Sequence, residues 1–404
     1  MSAQVGVQKN IPTLRFPGFS DKWELKKLKE IARFSKGKGI AKADISPNGV
    51  TPCIRYGELY THYGSLISEV ISRTSVSTDD LMLSSGDEVI IPASGETAID
   101  IATASAVTQK GVALGGDLNI IRSPHDPRFL ASYLSSGGRY RLAALAQGVS
   151  VVHLYADQLG SLDIYAPALP EQKKIADFLG AVDDKIAKLT KKKALLERYK
   201  KGVMQKLFSQ SLRFKDENGQ DYPDWEDTKA GQVFENISDK AHDGTLPVLS
   251  VTQKDGIVAR SATDREIQYA SENTANYKQV CPGHFVISLR SFQGGIEYSE
   301  ILGICSPAYT VLSPKIEIYD DFFRHLFKKE DFISRLSATV IGIREGKQIS
   351  FSAFATVKLQ VPHLEEQRKI ADFLTAIDDK INHVSDKLEQ AKLFKKGLLQ
   401  QMFV

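Results

Sequence analysis

The sequence predicts an α+β protein with an internal pseudo-two-fold repeat: two similar globular domains separated by a long antiparallel two-helix coiled coil. Three observations lead there. The first is a repeat. Glu171-Gln-Lys-Lys-Ile-Ala-Asp-Phe-Leu179 returns as Glu366-Gln-Arg-Lys-Ile-Ala-Asp-Phe-Leu374, Asp183-Asp-Lys-Ile186 as Asp378-Asp-Lys-Ile381, and Lys200-Lys-Gly202 as Lys395-Lys-Gly397, always 195 residues apart. A repeat this long without a gap belongs to the architecture. The second is a period. Ile175, Leu179, Val182, Ile186, Leu189, Leu196, Val203 and Leu207 recur in steps of four and three, as do Ile370, Leu374, Ile377, Ile381, Val384, Leu388, Ala391, Leu398 and Met402. That is the a/d seam of a coiled coil, interrupted by Lys193 and Lys200 in one copy and by Lys395 in the other. The third is chain order: domain, helix, domain, helix. If a compact domain joins the helices, their seams can meet along their length only by running antiparallel. A helix of this length is about 57 Å long, which puts one domain at each end of a rod.

The expected organisation is a leader over 1–14, a domain over 15–168, a helix over 169–212, a second domain over 213–363 and a second helix over 364–404. The repeat reaches into the domains. Leu14-Arg-Phe-Pro-Gly-Phe-Ser-Asp-Lys-Trp-Glu24 is echoed, with four residues added, by Leu212-Arg-Phe through Trp225-Glu226. Short strands are expected around Pro52–Tyr56 and Pro247–Val251. Turn glycines Gly86 and Gly283 each precede an apolar strand. Further strands are expected at Leu118–Ile121 and Tyr309–Leu312. Helical patterns follow over Arg128–Leu145 and Asp321–Leu336. Gly202 and Gly397 each cost a helix about 1 kcal/mol relative to alanine, which suggests a close approach at those points.

Composition narrows the class. The 404 residues are 42% apolar and 25% charged, ordinary for a globular protein of two or three domains. A net charge of +3 from 52 basic and 49 acidic residues permits a nucleic-acid partner without requiring one. The first long helix is the basic part: its lysines and arginine exceed its carboxylates by six over 171–208, whereas 366–403 is nearly balanced. A basic helix can neutralise phosphates without reading bases. Cys53, Cys281 and Cys305 form no CxxC pair, so neither zinc nor a disulfide framework is expected. The first ten residues lack an apolar signal core, and no apolar run is long enough to span a bilayer. A cytoplasmic location without membrane contact is expected.

No catalytic constellation stands out. The fifteen prolines include no Pro-Pro pair, so the Asn/Asp-Pro-Pro-aromatic motif of adenine methyltransferases is missing. Gly342-Ile-Arg-Glu-Gly-Lys347 is one residue short of a phosphate loop and lacks its Ser or Thr. Gly37-Lys-Gly39 lacks a third glycine and reads as a turn. The eight histidines form neither HxH nor HExxH, and no metal site is expected. Asp183 and Asp184 point to different helix faces and make no acid–base pair.

The paired helices with their Glu-Gln-x-x-Ile-Ala-x-Phe-Leu and Asp-Asp-Lys-Ile runs, the Leu-Arg-Phe opening before Trp-Glu and the Gly-Asp at Gly86 together resemble the specificity subunit of type I restriction–modification systems. The resemblance spans Leu14–Val404 and is weakest between the helices, where His284 follows Gly283 in place of an acid. It implies that the two domains are target-recognition domains, each reading half of a split duplex DNA sequence, the second in inverted orientation. It implies that the helix pair sets the gap and docks two adenine-methyltransferase subunits, joined by restriction/translocase subunits. The chain itself would hold no cofactor; S-adenosylmethionine would belong to the methyltransferase partner, ATP and Mg to the translocase. A helix of about 57 Å against a DNA turn of about 34–36 Å limits the half-site separation to roughly one and a half turns. The competing reading is a coiled-coil scaffold that never touches DNA.

Base reading needs Arg, Lys, Asn, Gln, Ser, Thr or aromatic groups on loops. In the first domain Arg55, Tyr56, His62 and Tyr63 follow one strand, and Gln147, Ser150 and His153 lie ahead of the long helix. In the second, Arg290, Phe292 and Gln293 end the glycine-led strand, and Arg344, Lys347 and Gln348 occupy the place of Gln147–His153.

Overall fold

A computed structural model describes residues 11–253, 255–262, 274–289, 291–338 and 349–404, with the side chain of Phe292 left aside. The chain divides into two compact units. Unit 1 takes the chain up to Lys191 together with Ser385–Val404; unit 2 is Lys192–Val384.

Unit 1 is built on strands β1 (Glu24–Lys27), β2 (Arg33–Lys36), β3 (Leu66–Ile67), β4 (Glu88–Pro92), β5 (Ser105–Val107), β6 (Leu118–Arg122) and β7 (Asp163–Ala166). Five of them form a sheet in the order β2-β6-β4-β5-β3, and β1 pairs with β7. Strand alternation gives the sheet two apolar faces. Val89, Ile91 and Ile121 pack toward Phe129, Tyr133 and the long helices, while Ile90, Leu118 and Ile120 pack toward Ile54, Leu59 and Leu114.

Unit 2 repeats the plan with β8 (Glu226–Lys229), β9 (Phe234–Ile237), β10 (Phe285–Ile287), β11 (Glu297–Tyr298), β12 (Thr310–Pro314) and β13 (Lys358–Val361). The sheet order β9-β12-β10-β11 is that of unit 1 without its edge strand β3, and β8 pairs with β13 as β1 does with β7. Gly86 and Gly283, two residues ahead of β4 and β10, both have φ of +93°, a left-handed turn that favours glycine. The core of unit 2 is aromatic: Phe234 sits within 5.2–6.1 Å of the rings of Phe285, Phe323, Phe327 and Phe354.

The two helical runs expected beyond the sheets are each broken. Pro127–Ser135, capped by Asp126 with proline at its first position, stops before Gly137-Gly138, and a short helix Arg139–Ala143 follows. In unit 2, Asp320–Leu326 and Glu330–Ala338 are separate. Between them Phe327, fully buried, packs its ring against Phe332 at 4.9 Å.

The central helix, Leu169–Phe208, and the C-terminal helix, Leu364–Met402, are 40 and 39 residues long. In unit 1, Ile175, Leu179 and Val182 share a core with Leu398 and Met402. In unit 2, Val203 and Leu207 share one with Ile370, Leu374 and Ile377. Within each unit the early part of one helix therefore meets the late part of the other, an antiparallel arrangement. Ile186, Leu189, Leu196 and Ile381 on the same stripe are half-buried, and Val384 and Leu388 are buried.

The lysines that interrupt the seam have a reason to be there. Lys395 Nζ reaches Asp183 at 2.5 Å in unit 1, and Lys200 Nζ reaches Asp378 at 2.6 Å in unit 2. These are the same pair written in reciprocal helices, so the repeated Asp-Asp-Lys-Ile and Lys-Lys-Gly runs supply the two ends of one interhelical tie. Such half-buried pairs add little net stability but penalise other registers. Lys193 lies 4.0 Å from Glu197 on its own helix. The glycines following Lys201 and Lys396 do not mark a close approach, because a Cβ at Gly202 or Gly397 would meet nothing within 4 Å.

The repeated Glu-Gln pair roots each helix in its sheet domain. Gln172 Oε1 accepts the backbone N–H of Asp126 at 3.0 Å, and its Nε2 donates to the Pro167 carbonyl at 2.7 Å. Gln367 does the same for Tyr319 and Pro362, each at 2.9 Å. Glu171 binds Arg15 and Glu366 binds Arg213. All four side chains of the Glu-Gln pairs are almost fully buried, where an unpaired polar group would cost several kcal/mol (roughly 2–7).

Candidate nucleic-acid interface

In unit 1 the sequence candidates converge on a hairpin. Gln147 and His153 exchange both backbone hydrogen bonds, at 3.0 and 2.7 Å. Val152 is buried in the main core, and Val152–His153 pairs with Ser94–Gly95 beyond the end of β4. Gly148 at φ +130° closes the loop where a Cβ would lie 2.0 Å from the Val151 carbonyl oxygen. Gln147 and Ser150 are exposed, and so are Val149 and Val151.

The surface continues from the hairpin. The His153 ring stacks on Tyr155 with centroids 6.1 Å apart, and Lys36 Nζ stands 5.9 Å from the Tyr155 centroid. Gly37, next to Lys36, lies so close to Gly115 that a Cβ would fall 1.8 Å from its carbonyl oxygen, and Gly115 in turn borders Arg55. Arg55 is half-buried. Its Nη2 lies 3.7 Å from Glu58, and its buried Nε has no partner among the described residues. Backbone glycines thus join Arg55, Lys36, Tyr155, His153, Ser150 and Gln147 into one face.

The other candidates of unit 1 are placed differently. Tyr56 is half-buried against the core on the second face of the sheet. Tyr63 accepts the Ile71 backbone N–H at 3.0 Å, and burial pushes its hydroxyl pKa up, so its polar tip is already engaged. His62 is exposed, its Nδ1 2.6 Å from the Thr61 hydroxyl. Lys36, Val149 and Tyr155 escaped the sequence reading. A glycine followed by alternating valines, Gly148-Val-Ser-Val-Val152, was the available signal.

Glu88, fully buried at the start of β4, organises the opposite end of the same strand. Burial pushes its carboxyl up, but hydrogen bonds from the Ser85 backbone and hydroxyl, from Arg122 and from the Gly86 backbone outweigh that and hold it below its usual range. This cluster fixes the turn and leaves no lone pair for a ligand.

In unit 2, Arg290, Arg344, Lys347, Gln348 and the ring of Phe292 lie outside the described residues. Gln293 is exposed on the short helix Ser291–Gly294. A cleft of about 1310 Å³ opens between the late central helix and Asp320–Asp331. Its charges pair internally: Lys328 with Glu297, Lys201 with Glu330, Lys200 with Asp378. His325 lines it, and burial together with nearby Lys200 pushes that histidine down to about 4. The mixed signs leave no concentrated positive field for phosphate.

On the central helix, Lys173, Lys174, Lys185, Lys188 and Lys191 are exposed in unit 1, as are Lys192, Arg198 and Lys206 in unit 2. Among the described residues no group of His, Cys, Asp and Glu side chains could hold a metal, and no helix is long and apolar enough to cross a membrane. Burial pushes the thiols of Cys53 and Cys305 up to about 11 and 12, which keeps them protonated.

Compared with known families, the type I restriction modification DNA specificity domain matches this chain twice, over residues 20–198 and 222–393. The chain belongs to that family. It is a type I specificity subunit with two target recognition domains, a component of the type I restriction–modification enzyme complex. Among curated relatives, the specificity subunit of type I restriction enzyme MjaVIII from Methanocaldococcus jannaschii is 26% identical over 421 residues, covering 97% of this chain and 93% of that protein. A putative MjaX specificity subunit from the same organism is 29% identical over 255 residues, 60% of this chain. Among solved structures, the type I S subunit from M. genitalium superposes with a TM-score of 0.63 at 18% identity, covering 98% of this chain and 99% of that one. A chain from a study of complex assembly and conformational transition of the type I R-M system gives a TM-score of 0.52 at 16% identity, covering 97% of this chain. The S-subunit fold is thus shared across the whole length at low identity.

Proposed function

We propose that the two target recognition domains read the two halves of a split duplex sequence, the second in inverted orientation. On this reading the helix pair sets the interval between half-sites and carries two adenine-methyltransferase subunits, with restriction/translocase subunits joining them. S-adenosylmethionine is then the methyltransferase partner's cofactor, ATP and Mg the translocase partner's, and the whole works on cytoplasmic DNA. The observation that carries the reading is the contrast within the chain. Strand order, Glu-Gln roots and lysine–aspartate ties occur twice, while the loops beyond the strands differ in every candidate reader. Shared framework and divergent loops suit two readers with different targets. On the first domain the readers are the face from Arg55 to Gln147, together with exposed His62 after the helix that Arg55 precedes; on the second they are Arg290, Phe292, Gln293, Arg344, Lys347 and Gln348.

Adenine methylation mapped in a cell that carries this subunit with its methyltransferase partner tests the proposal. A split, non-palindromic motif with one methyl-adenine on each strand is expected. A continuous palindrome, or no motif, would contradict it. Arg290→Ala or Gln293→Ala is expected to weaken binding to the cognate duplex by about 1–3 kcal/mol and scrambled DNA much less.

A further inference from the structure

At the tip of the unit 1 hairpin, Val149 is 98% exposed, and Val151 beside it is 51% exposed. The loop does not offer them by accident of slack. Its base is closed by the Gln147–His153 bonds, pinned by buried Val152 and spliced to Ser94–Gly95. Gly148, at φ +130°, lies so close to the Val151 carbonyl that a Cβ would fall 2.0 Å from its oxygen. An isopropyl group held out in water by a fixed loop has no polar role, yet it stands between Gln147, Ser150 and His153.

We propose, resting on the reading of the first domain as a DNA reader, that Val149 is a specificity-determining residue that packs on the 5-methyl group of a thymine in the major groove. A two-stranded ribbon fits that groove, and the thymine methyl is the apolar feature among base edges there. Against any other base edge, valine covers a donor or acceptor without replacing its water, so it rejects as well as attracts. Val151 extends the apolar contact along the groove. Lys36, exposed at the foot of the hairpin beside Tyr155, supplies a phosphate contact that fixes register without reading sequence.

The test uses the full chain assembled with its methyltransferase partner. The methylated motif is mapped for the wild type. Duplexes are then made with each thymine of the motif replaced, one at a time, by deoxyuridine, which lacks the methyl. For the wild type, one replacement in one half-site should weaken binding by about three- to tenfold, the effect of uncovering one methyl-sized contact. Val149→Ala should bind the normal duplex more weakly by a similar factor and lose all response to that replacement. Val149→Thr, which keeps the branched shape, should assemble normally and relax that base in the mapped motif while the other half-site stays unchanged. The proposal falls if the wild type ignores every thymine replacement. It falls equally if Val149→Ala keeps the wild-type response, or if its loss is the same on scrambled duplex. A wild type with no split motif would sink the two-reader function itself; a split motif indifferent to Val149 would sink this inference alone.

Discussion

The two helix roots are written with the same residues and closed in different ways. In unit 2, Glu366 accepts Arg213 Nε at 3.1 Å and Nη2 at 2.8 Å, and the indole N–H of Trp225 at 3.0 Å. In unit 1, Glu171 takes Arg15 Nε and Nη2 both at 2.7 Å, and the Trp23 indole N–H, buried, has no partner among the described residues. The cause lies in the opening loop. Four added residues before Trp225 let Arg213 also donate to the carbonyls of Tyr222 and Pro223. Its guanidinium stands slightly farther from the carboxylate, which also takes the indole. Arg15, on the shorter loop, meets both oxygens of Glu171 with the same guanidinium edge at closer range. A repeat can thus conserve its partners and still redistribute its hydrogen bonds when a loop changes length.

The largest effects should come from the aromatic plugs that complete each root. Phe403 packs on Trp23, Phe129 and Tyr133 in unit 1, and Phe208 on Trp225 and Phe322 in unit 2. Phe403→Ala and Phe208→Ala should each cost about 3–5 kcal/mol, read as faster amide exchange in the corresponding unit alone. Equal loosening of both units by either change would mean that they do not hold their own cores.

Glu366→Ala and Glu171→Ala each remove the buried carboxylate that a partly buried arginine clamps, at a cost of about 3 kcal/mol. The former should be worse, because it also orphans an indole. The tryptophans separate the two roots more cleanly. Trp225→Phe gives up a hydrogen bond to a carboxylate, about 1.5–3 kcal/mol, whereas Trp23→Phe gives up none and should cost under about 1.5 kcal/mol, the price of the shape change. Equal losses would show that the indole bond to Glu366 contributes nothing.

Acid should weaken unit 2 through His325. The unfolded chain binds a proton near pH 6.5, whereas burial, with Lys200 nearby, keeps the folded imidazole neutral down to about 4. Stability contributed by the neutral form is therefore complete above pH 6.5 and drains as pH falls toward 4, by roughly 3 kcal/mol in all. In His325→Gln that part of the pH dependence should vanish from the amide exchange of unit 2. In unit 1, burial pushes His125 down as well, so its slope has the same sign and is untouched by that change. The smallest effects should be gains. Gly202→Ala and Gly397→Ala face open space and should each raise stability by about 0.5–1 kcal/mol in thermal unfolding.

How much of this was legible in the sequence follows from how far each cause reaches along the chain. The helices were, because their seam is a local period and their repeat is nearly verbatim. The strands before Ile91 and Ile287 were, because a turn glycine leads each. Gly137-Gly138 was a visible stop signal inside the helical run, yet apolar spacing outweighed it; the break at Phe327 depends in part on three rings distant in sequence, Phe234, Phe285 and Phe354. The seam lysines looked like faults because their aspartates lie 178 and 212 residues away. The candidate face of unit 1 was legible only in part. Polar residues announce themselves as readers, whereas Val149 and Lys36 become candidates only once the fold puts them on one loop and at its foot.

The division of the chain also sets a schedule. Unit 2 is an unbroken stretch, Lys192–Val384, but unit 1 needs Ser385–Val404, including the Leu398, Met402 and Phe403 side chains in its core and the Gln401 carbonyl that binds the Leu14 N–H at 2.9 Å. On the ribosome the first domain to emerge is therefore the last to close. It waits, with the pocket beside Trp23 unfilled, for roughly the time needed to make two hundred more residues, about 10–40 s. A chain broken off before Leu398 would carry a finished second domain and an open first one, and the defect would appear beside Trp23, far in sequence from the break.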